Sequence, residues 1–315
     1  MLIDSHAHLD SAKYDADRAD VLAQAYAAGV RTVLSIGIGE GPSTMHRALE
    51  LSREFAGGSG LPQKYPTIYA TAGIHPDEAG SADEAAYTKL DALLAEPEVI
   101  AAGEIGLDYY WDTAPHDVQK QVFVRQMEIA AGRKRPVVIH CRAAQKAADG
   151  PGAWDDTLEL LESEWRQTGL GGILHCFSGE LEHARRAMDC GFLISFAGNL
   201  TFPNAQALRE VAGKIPLDHM LIETDAPFLA PVPFRGKRNE PAYVAHTAAK
   251  VAEILRIEEE EVASTTARNF FALMRLQCPN DGAPDDRLSD RRPDTADERR
   301  AEPAEMRNDH GRKLL

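Results

Sequence analysis

The chain is poor in cysteine, and the four it has, Cys141, Cys176, Cys190 and Cys278, show neither C-x-x-C spacing nor the density of a disulfide framework. That excludes a disulfide-built secreted fold and a thiolate zinc site, and it suits a reducing cytosol. Long apolar runs are absent too: nothing approaches the ~18 consecutive apolar residues of a membrane-spanning helix. The first residues carry Asp4, His6 and His8 where a secretory leader would place a basic stretch and then an apolar one, so the expectation is a cytoplasmic protein without a signal peptide. Positive charge is also short. Lys and Arg total 34 against 49 Asp and Glu, a formal charge of −15, which excludes a broad basic face gripping a long duplex through many phosphates. A phosphodiester substrate stays open if bound cations and a few local arginines supply the positive field. No internal repeat occurs, so a solenoid or propeller is not expected.

What the chain does have is a steady alternation of strand and helix patterns. With 315 residues, 44% of them apolar, it can bury one large core, and a single barrel accommodates that length better than two average domains. The run from Leu2 to Leu9 reads as a strand, and Ser11 to Gly29 as a helix stopped by its glycine. Strands follow over 32–38 and 66–74, then four that end at Glu104, His140, His175 and Phe196, and a last one running into Asp225. Helical patterns over 43–55, 83–95, 119–132, 154–167, 180–190 and 204–213 separate them, and 243–255 and 258–276 extend the helical ring. Eight parallel strands in this alternation predict an α/β fold of the TIM (β/α)8 barrel type, as one domain over 1–277. Residues 278–315 change character. The segment 281–315 holds ten acidic and eight basic side chains with almost no apolar periodicity, which predicts a solvated, disordered tail. Gly57-Gly58-Ser59-Gly60 reads as a loop.

The strand ends carry the chemistry. In an extended strand His6 and His8, two apart, point the same way, as two imidazoles must to share one cation. Glu104, His140, His175 and Asp225 each terminate an apolar run, and in a parallel barrel all such ends meet at one mouth. Four histidines and two carboxylates exceed what one tetrahedral zinc needs, so the count favours two divalent ions with a bridging carboxylate. Glu104 is placed between the two histidine pairs and can bridge. Asp225 closes the ring of strands beside the first, where it can orient and deprotonate water. Imidazole and carboxylate without thiolate fit Mg, Mn or Zn in a catalytic site.

Six motifs, Asp4-Ser5-His6-Ala7-His8-Leu9-Asp10, Gly103-Glu104-Ile105-Gly106-Leu107-Asp108, Val138-Ile139-His140-Cys141-Arg142, His175-Cys176-Phe177-Ser178-Gly179, Glu223-Thr224-Asp225-Ala226-Pro227 and the stretch Arg235 to Pro241, resemble the TatD family of metal-dependent deoxyribonucleases, in register over roughly residues 1–276. The resemblance implies a barrel of the wider amidohydrolase-like group. It puts His6, His8 and Asp225 on the first metal, His140 and His175 on the second, and Glu104 between them, with Asp225 and Glu104 as the catalytic carboxylates. The activity it implies is hydrolysis of DNA phosphodiester bonds, from an end, by a metal-bound hydroxide. DNA is then the substrate partner, with no obligate protein partner and no membrane. Related barrels often bridge two metals with a carbamylated lysine; Glu104 takes that place here, which favours phosphodiesters over an ester, amide or lactone substrate, the alternative reading.

Other residues are weighed against plainer roles. His75, at the end of the third strand, and Arg142, two past His140, are candidates to contact substrate phosphate, against packing and a rim salt bridge. Arg235, Lys237 and Arg238 form a basic cluster near the mouth, read as contacts to a nucleic-acid backbone. Tyr109, Tyr110 and Phe228 could stack on bases, although packing is the commoner use of such aromatics. Asp108 and Glu223 are expected to orient a histidine or arginine from behind the ligands. Cys141 and Cys176 each follow a ligand histidine and are expected to face away as small core residues. His46, His116, His183, His219, His246 and His310 read as solvated or capping. The stretch 143–153 looks like an expanded loop at the mouth, and it and the tail depart from the family pattern.

Overall fold

Eight short parallel strands wind into a nearly closed barrel in a computed structural model that describes residues 1–56, 64–145 and 152–279. The strands are β1 (Leu2–Ala7), β2 (Val30–Ser35), β3 (Thr67–Ala72), β4 (Val99–Asp108), β5 (Val137–Arg142), β6 (Gly172–Leu174), β7 (Phe192–Phe196) and β8 (Met220–Ile222). Between them run α1 (Arg18–Ala27), α2 (Arg47–Glu54), α3 (Glu84–Leu94), α4 (His116–Gly132), α5 (Ala153–Leu160), α6 (Leu181–Asp189) and α7 (Gln206–Ala212), and α8 (Val244–Leu255) and α9 (Glu259–Leu273) follow the last strand. Each strand pairs in parallel with the next in sequence, the arrangement that helical crossovers impose. The expected barrel is the barrel found. The loops expected at 57–60 and over most of 143–153, and the tail from 280 on, lie outside the described residues.

Boundaries moved for local reasons. The single helix expected over 11–29 is a 3-10 turn, Ala12–Tyr14, followed by α1, because Ser11 accepts the Lys13 N–H and Asp17 leaves helical geometry at φ −147°. β4 runs four residues past Glu104, to Asp108, paired with β5 as far as Arg142. Gly106 allows that pairing: its φ is +140°, and a Cβ there would lie 2.0 Å from the His140 carbonyl oxygen.

Two apolar clusters position the mouth. The larger lies between barrel and helices, with Leu22, Leu90, Phe123, Leu158 and Phe192 among its buried members. The smaller takes Ile3, Leu34, Ile100, Val138, Ile173 and Leu221 from the strands and seals them with Ala267, Phe270, Phe271 and Met274 of α9. Apart from Leu34, these strand residues stand near the N-terminal ends. One end of the barrel is thus closed by hydrocarbon, each fully buried large side chain contributing about 1.5–3 kcal/mol, and the opposite, C-terminal end is left for polar groups.

The seam between β1 and β8 lacks regular pairing beyond one bridge, Ala7 to Ala226. Polar contacts close it instead. Ser5 Oγ lies 3.0 Å from Ser195 Oγ and donates to the Ile222 carbonyl at 3.1 Å, while Asp4 accepts both the Thr224 N–H (2.9 Å) and the Thr224 hydroxyl (2.6 Å). Among the described residues no helix is long and apolar enough to cross a membrane.

Candidate metal centre

His6 and His8 project together from the end of β1, and their Nε2 atoms lie 3.3 Å apart. His6 Nε2 is 3.3 Å from Glu104 Oε2 and 3.8 Å from Asp225 Oδ1; His8 Nε2 is 3.3 Å from Asp225 Oδ1 and 3.7 Å from Glu104 Oε2. His6, His8 and Asp225 thus bring three donor atoms together as a group that could hold one ion, at separations near the roughly 3.3 Å edge of a tetrahedron with metal–ligand bonds of about 2.0–2.1 Å, and Glu104 Oε2 lies beside both imidazoles. Two imidazole nitrogens converging in this way gain little from each other, and a cation between them explains the arrangement. The donor set fits a divalent ion.

The other oxygen of Glu104 serves a second group. Oε1 lies 2.6 Å from His140 Nδ1 and 2.6 Å from His175 Nε2, and those two nitrogens are 3.4 Å apart. The His6 and His175 rings stack at 3.8 Å between centroids across the barrel axis. Each imidazole of this second group has a supporting carboxylate: His140 Nε2 is 2.8 Å from Asp108 Oδ2, and His175 Nδ1 is 3.3 Å from Glu223 Oε1. Such supports fix ring orientation and tautomer, and they are the roles expected of Asp108 and Glu223.

The charge state of the centre points the same way. Burial would raise Glu104, but the charges of His175 and His6 and hydrogen bonds from His140 and His175 hold it well below the usual carboxylate range. Burial opposes a charged His140, yet Asp108 and Glu104 push it up to about 9, and Glu104 and Glu223 drive His175 well above its ordinary value. Burial likewise works against an ionised Asp225, while the His8 hydrogen bond and the charge of His175 hold its pKa below normal. The buried carboxylates thus demand positive charge, which histidine protons supply and a divalent cation would displace. His175 and Asp225 lie just past the ends of β6 and β8. Asp225 adopts φ +57°, a left-handed turn that acidic residues tolerate better than most. Its N–H donates to the His6 carbonyl at 2.9 Å, which places its carboxylate beside His6 and His8.

His8, Glu104, His140, His175 and Asp225 floor a cavity of about 680 Å³. His75 lies three residues beyond β3 and faces Glu104, Nε2 to Oε1 at 3.7 Å. Burial and the neighbouring His140 charge push its pKa down to about 3, so it is neutral, and its Nδ1 accepts the Asp77 N–H at 3.2 Å. The ring proton is then on Nε2, aimed into the cavity. Arg142 lines the rim, its guanidinium 3.9 Å from the Tyr110 ring centroid. Arg235 lies over Phe202 at 4.5 Å. Arg238 is engaged within the chain, both its terminal nitrogens donating to Asp17 at 2.9 and 2.7 Å and one to Glu240 at 2.9 Å.

Tyr109 is a packing residue, its hydroxyl donating to Asp156 at 2.6 Å and its ring stacked on His116 at 3.4 Å. Cys141 is buried with the Thr157 hydroxyl on its sulfur at 3.4 Å. Cys176 does not face away as strand alternation predicts. β6 stops at Leu174, Cys176 takes φ +44°, and it lines the cavity. His183 caps α6 as expected, accepting the Glu180 N–H at 3.0 Å; His310 lies outside the described residues. Sequence reasoning missed Trp111 and Asn199, which also line the cavity. Neither falls in a motif or a periodic pattern; the one available signal for Trp111 was an apolar aromatic among polar neighbours.

The family model described as TatD related DNase matches residues 3–275. The chain is 41% identical over 276 residues to an uncharacterized metal-dependent hydrolase, YabD, of Bacillus subtilis, covering 88% of this chain and 100% of the relative. It is 34% identical over 280 residues to the 3'-5' ssDNA/RNA exonuclease TatD of Salmonella typhimurium, covering 87% and 99%. Among solved structures it resembles YJJV, a TatD homologue from Escherichia coli K12, with a TM-score of 0.73 and 28% identity over 88% of this chain and 98% of that one.

Proposed function

The chain belongs to the TatD-related DNase family of metal-dependent hydrolases, and on that premise we propose that it hydrolyses phosphodiester bonds in DNA from a strand end, with two divalent ions at the mouth of the 1–277 barrel. One observation carries this reading: the two oxygens of Glu104 divide four imidazoles into two pairs, His6 with His8 and His140 with His175. Divalent Mg, Mn or Zn held by these residues and Asp225 would polarise a phosphoryl oxygen and bring the pKa of water from about 16 towards about 7. The protein's own groups do the rest. Asp225, ionised at neutral pH, accepts a proton from the attacking water. The water oxygen then bonds to phosphorus in line as the bond to the departing sugar oxygen breaks, and that oxygen takes up the proton that Asp225 accepted, leaving as a hydroxyl. Neutral His75 donates a hydrogen bond from Nε2–H to a phosphoryl oxygen, its Nδ1 being taken up as the acceptor of the Asp77 N–H.

At the rim, Arg142 and Arg235 take neighbouring phosphates. Arg238, already satisfied by Asp17 and Glu240, serves mainly to hold the loop that carries Arg235. The name of the Salmonella relative supports a nucleic-acid substrate. The free thiols of Cys141, Cys176, Cys190 and Cys278 support a reducing, cytoplasmic setting.

The test is purified protein stripped with a chelator and titrated with Mg, Mn and Zn against end-labelled single- and double-stranded DNA, RNA, and a panel of esters and lactones. We expect metal to restore release of nucleotides from an end, and Asp225→Asn to lower kcat by about 10²–10⁴-fold. No metal-restored nuclease activity, or full activity in Asp225→Asn, overturns the reading. Lactone or ester turnover without nuclease turnover selects the alternative substrate class.

A further inference from the structure

The described residues leave three large apolar side chains exposed, Trp111 (59%), Phe228 (50%) and Val232 (43%), and the two aromatic ones line the cavity that holds His140 and Asp225. Aromatic surface left in water at one place is a binding feature more often than an accident. Here each ring has a cation beside it. The Arg142 guanidinium lies 5.4 Å from the Trp111 ring centroid, and Lys13 Nζ lies 4.9 Å over Phe228.

Each ring is also tied to the candidate centre through its backbone. The Trp111 N–H donates to Asp108 Oδ1 at 2.9 Å, and the other oxygen of Asp108 holds His140. On the far side, the Phe228 N–H donates to the Asp225 carbonyl at 2.8 Å, its own carbonyl accepts from Asn239 at 2.6 Å, and its ring meets His8 edge-on at 5.8 Å. Two aromatic faces are therefore anchored on opposite sides of the mouth, each one hydrogen bond from a residue of the centre.

We propose that Trp111 and Phe228 are specificity-determining residues that stack on the bases flanking the bond to be cut, with Arg142 and Lys13 pairing to the adjoining phosphates. The inference rests on the nuclease reading above and names how that site chooses its substrate. A flat aromatic ring with a cation beside it matches a flat base with a phosphate beside it, and stacking tolerates any base. A base inside a duplex already has two stacking neighbours and cannot occupy a protein platform without being pulled out. The two platforms thus admit unstacked strand ends and exclude paired ones.

Trp111 gives a direct readout, since the other two tryptophans, Trp154 and Trp165, are buried. Binding of phosphorothioate-linked (dT)10 to the full-length metal-loaded protein is expected to quench tryptophan fluorescence, and Trp111→Phe to abolish the quench. In cleavage of ordinary (dT)10, Trp111→Ala and Phe228→Ala should each raise KM by about 5- to 100-fold, the worth of one stacked base, with the loss falling on KM rather than kcat. Trp111→Phe should recover most of it. An oligomer abasic at its last two positions should cost the wild type both factors together, cost each single alanine variant only the factor of its remaining platform, and cost the double variant Trp111→Ala, Phe228→Ala nothing more. Equal losses on normal and abasic strands, or cleavage without any quench, would overturn the platforms. Quenching without cleavage would leave the platforms standing and remove the nuclease reading instead.

Discussion

His140 and Asp108 face each other at 2.8 Å, Nε2 to Oδ2, at the end of the paired strands β4 and β5. The same carboxylate accepts the Tyr110 and Trp111 N–H groups at 2.8 and 2.9 Å through its other oxygen. Asp108 therefore sets the orientation of a candidate ligand and the position of the rim together.

Removing its charge tests the first of these roles. Asp108→Asn keeps the size of the side chain but weakens its hold on the His140 ring. A supporting carboxylate of this kind is worth about 10–100-fold in metal affinity. The metal concentration that half-restores activity after chelation should rise by that factor, with most of kcat recovered at saturating metal. An unchanged midpoint would show that His140 does not bind metal.

Metal should also stabilise the fold. Glu104, His6 and His175 are buried, and a cation that binds only the folded state at 100 times its Kd adds about 2.7 kcal/mol. For a domain of this size that corresponds to a Tm rise of about 5–10 °C. Thermal scans of chelated protein with and without added Mn or Zn give the measurement. Glu104→Ala should abolish most of the shift, because both groups of imidazoles lose their shared carboxylate. A shift that survives intact in that variant would place the metal elsewhere.

The Arg238 loop makes a different prediction, in stability against pH. Asp17 is held below its ordinary value of 3.8 by the hydrogen bond from Arg238. A carboxylate depressed on folding contributes stability that is fully present above its unfolded pKa and is lost as pH falls through the folded one. Arg238→Ala should therefore unfold at a lower temperature than wild type near neutral pH, and the difference should shrink below about pH 4 as Asp17 is protonated. Its KM for DNA should change less than that of Arg235→Ala. The opposite ranking would make Arg238 a backbone contact in its own right.

What could be read from the sequence follows from range. His6 and His8 are two apart on one strand, so period-two alternation places them on one face with no long-range information. Glu104, His140, His175 and Asp225 end apolar runs, and the barrel topology brings such ends together. What escaped depends on where strands stop or on distant partners. Cys176 faces the cavity because β6 ends two residues earlier. Arg238 is taken up by Asp17, 221 positions away in the sequence. Trp111 is aimed by a backbone hydrogen bond to Asp108, which no composition or spacing encodes.

The last prediction concerns the seam that delivers Asp225. β8 ends at Ile222, and the chain crosses to β1 through Thr224, whose N–H and hydroxyl both donate to buried Asp4 while its Oγ1 accepts the Ala226 N–H at 3.1 Å. Thr224→Val keeps the shape but removes the hydroxyl, leaving Asp4 Oδ2 and the Ala226 N–H without that partner. Each buried polar group so orphaned costs about 1–3 kcal/mol, so the variant should lose roughly 2–6 kcal/mol and unfold about 5–20 °C lower. Asp225 and the Ala7–Ala226 bridge flank this residue, so kcat should fall as well, at a temperature where the protein is still folded. Thr224→Ser, which retains the hydroxyl, should restore both. If Thr224→Val instead matches wild type in Tm and kcat, the seam is held by the backbone bridge and the Ser5 contacts, and Asp225 owes its position to those.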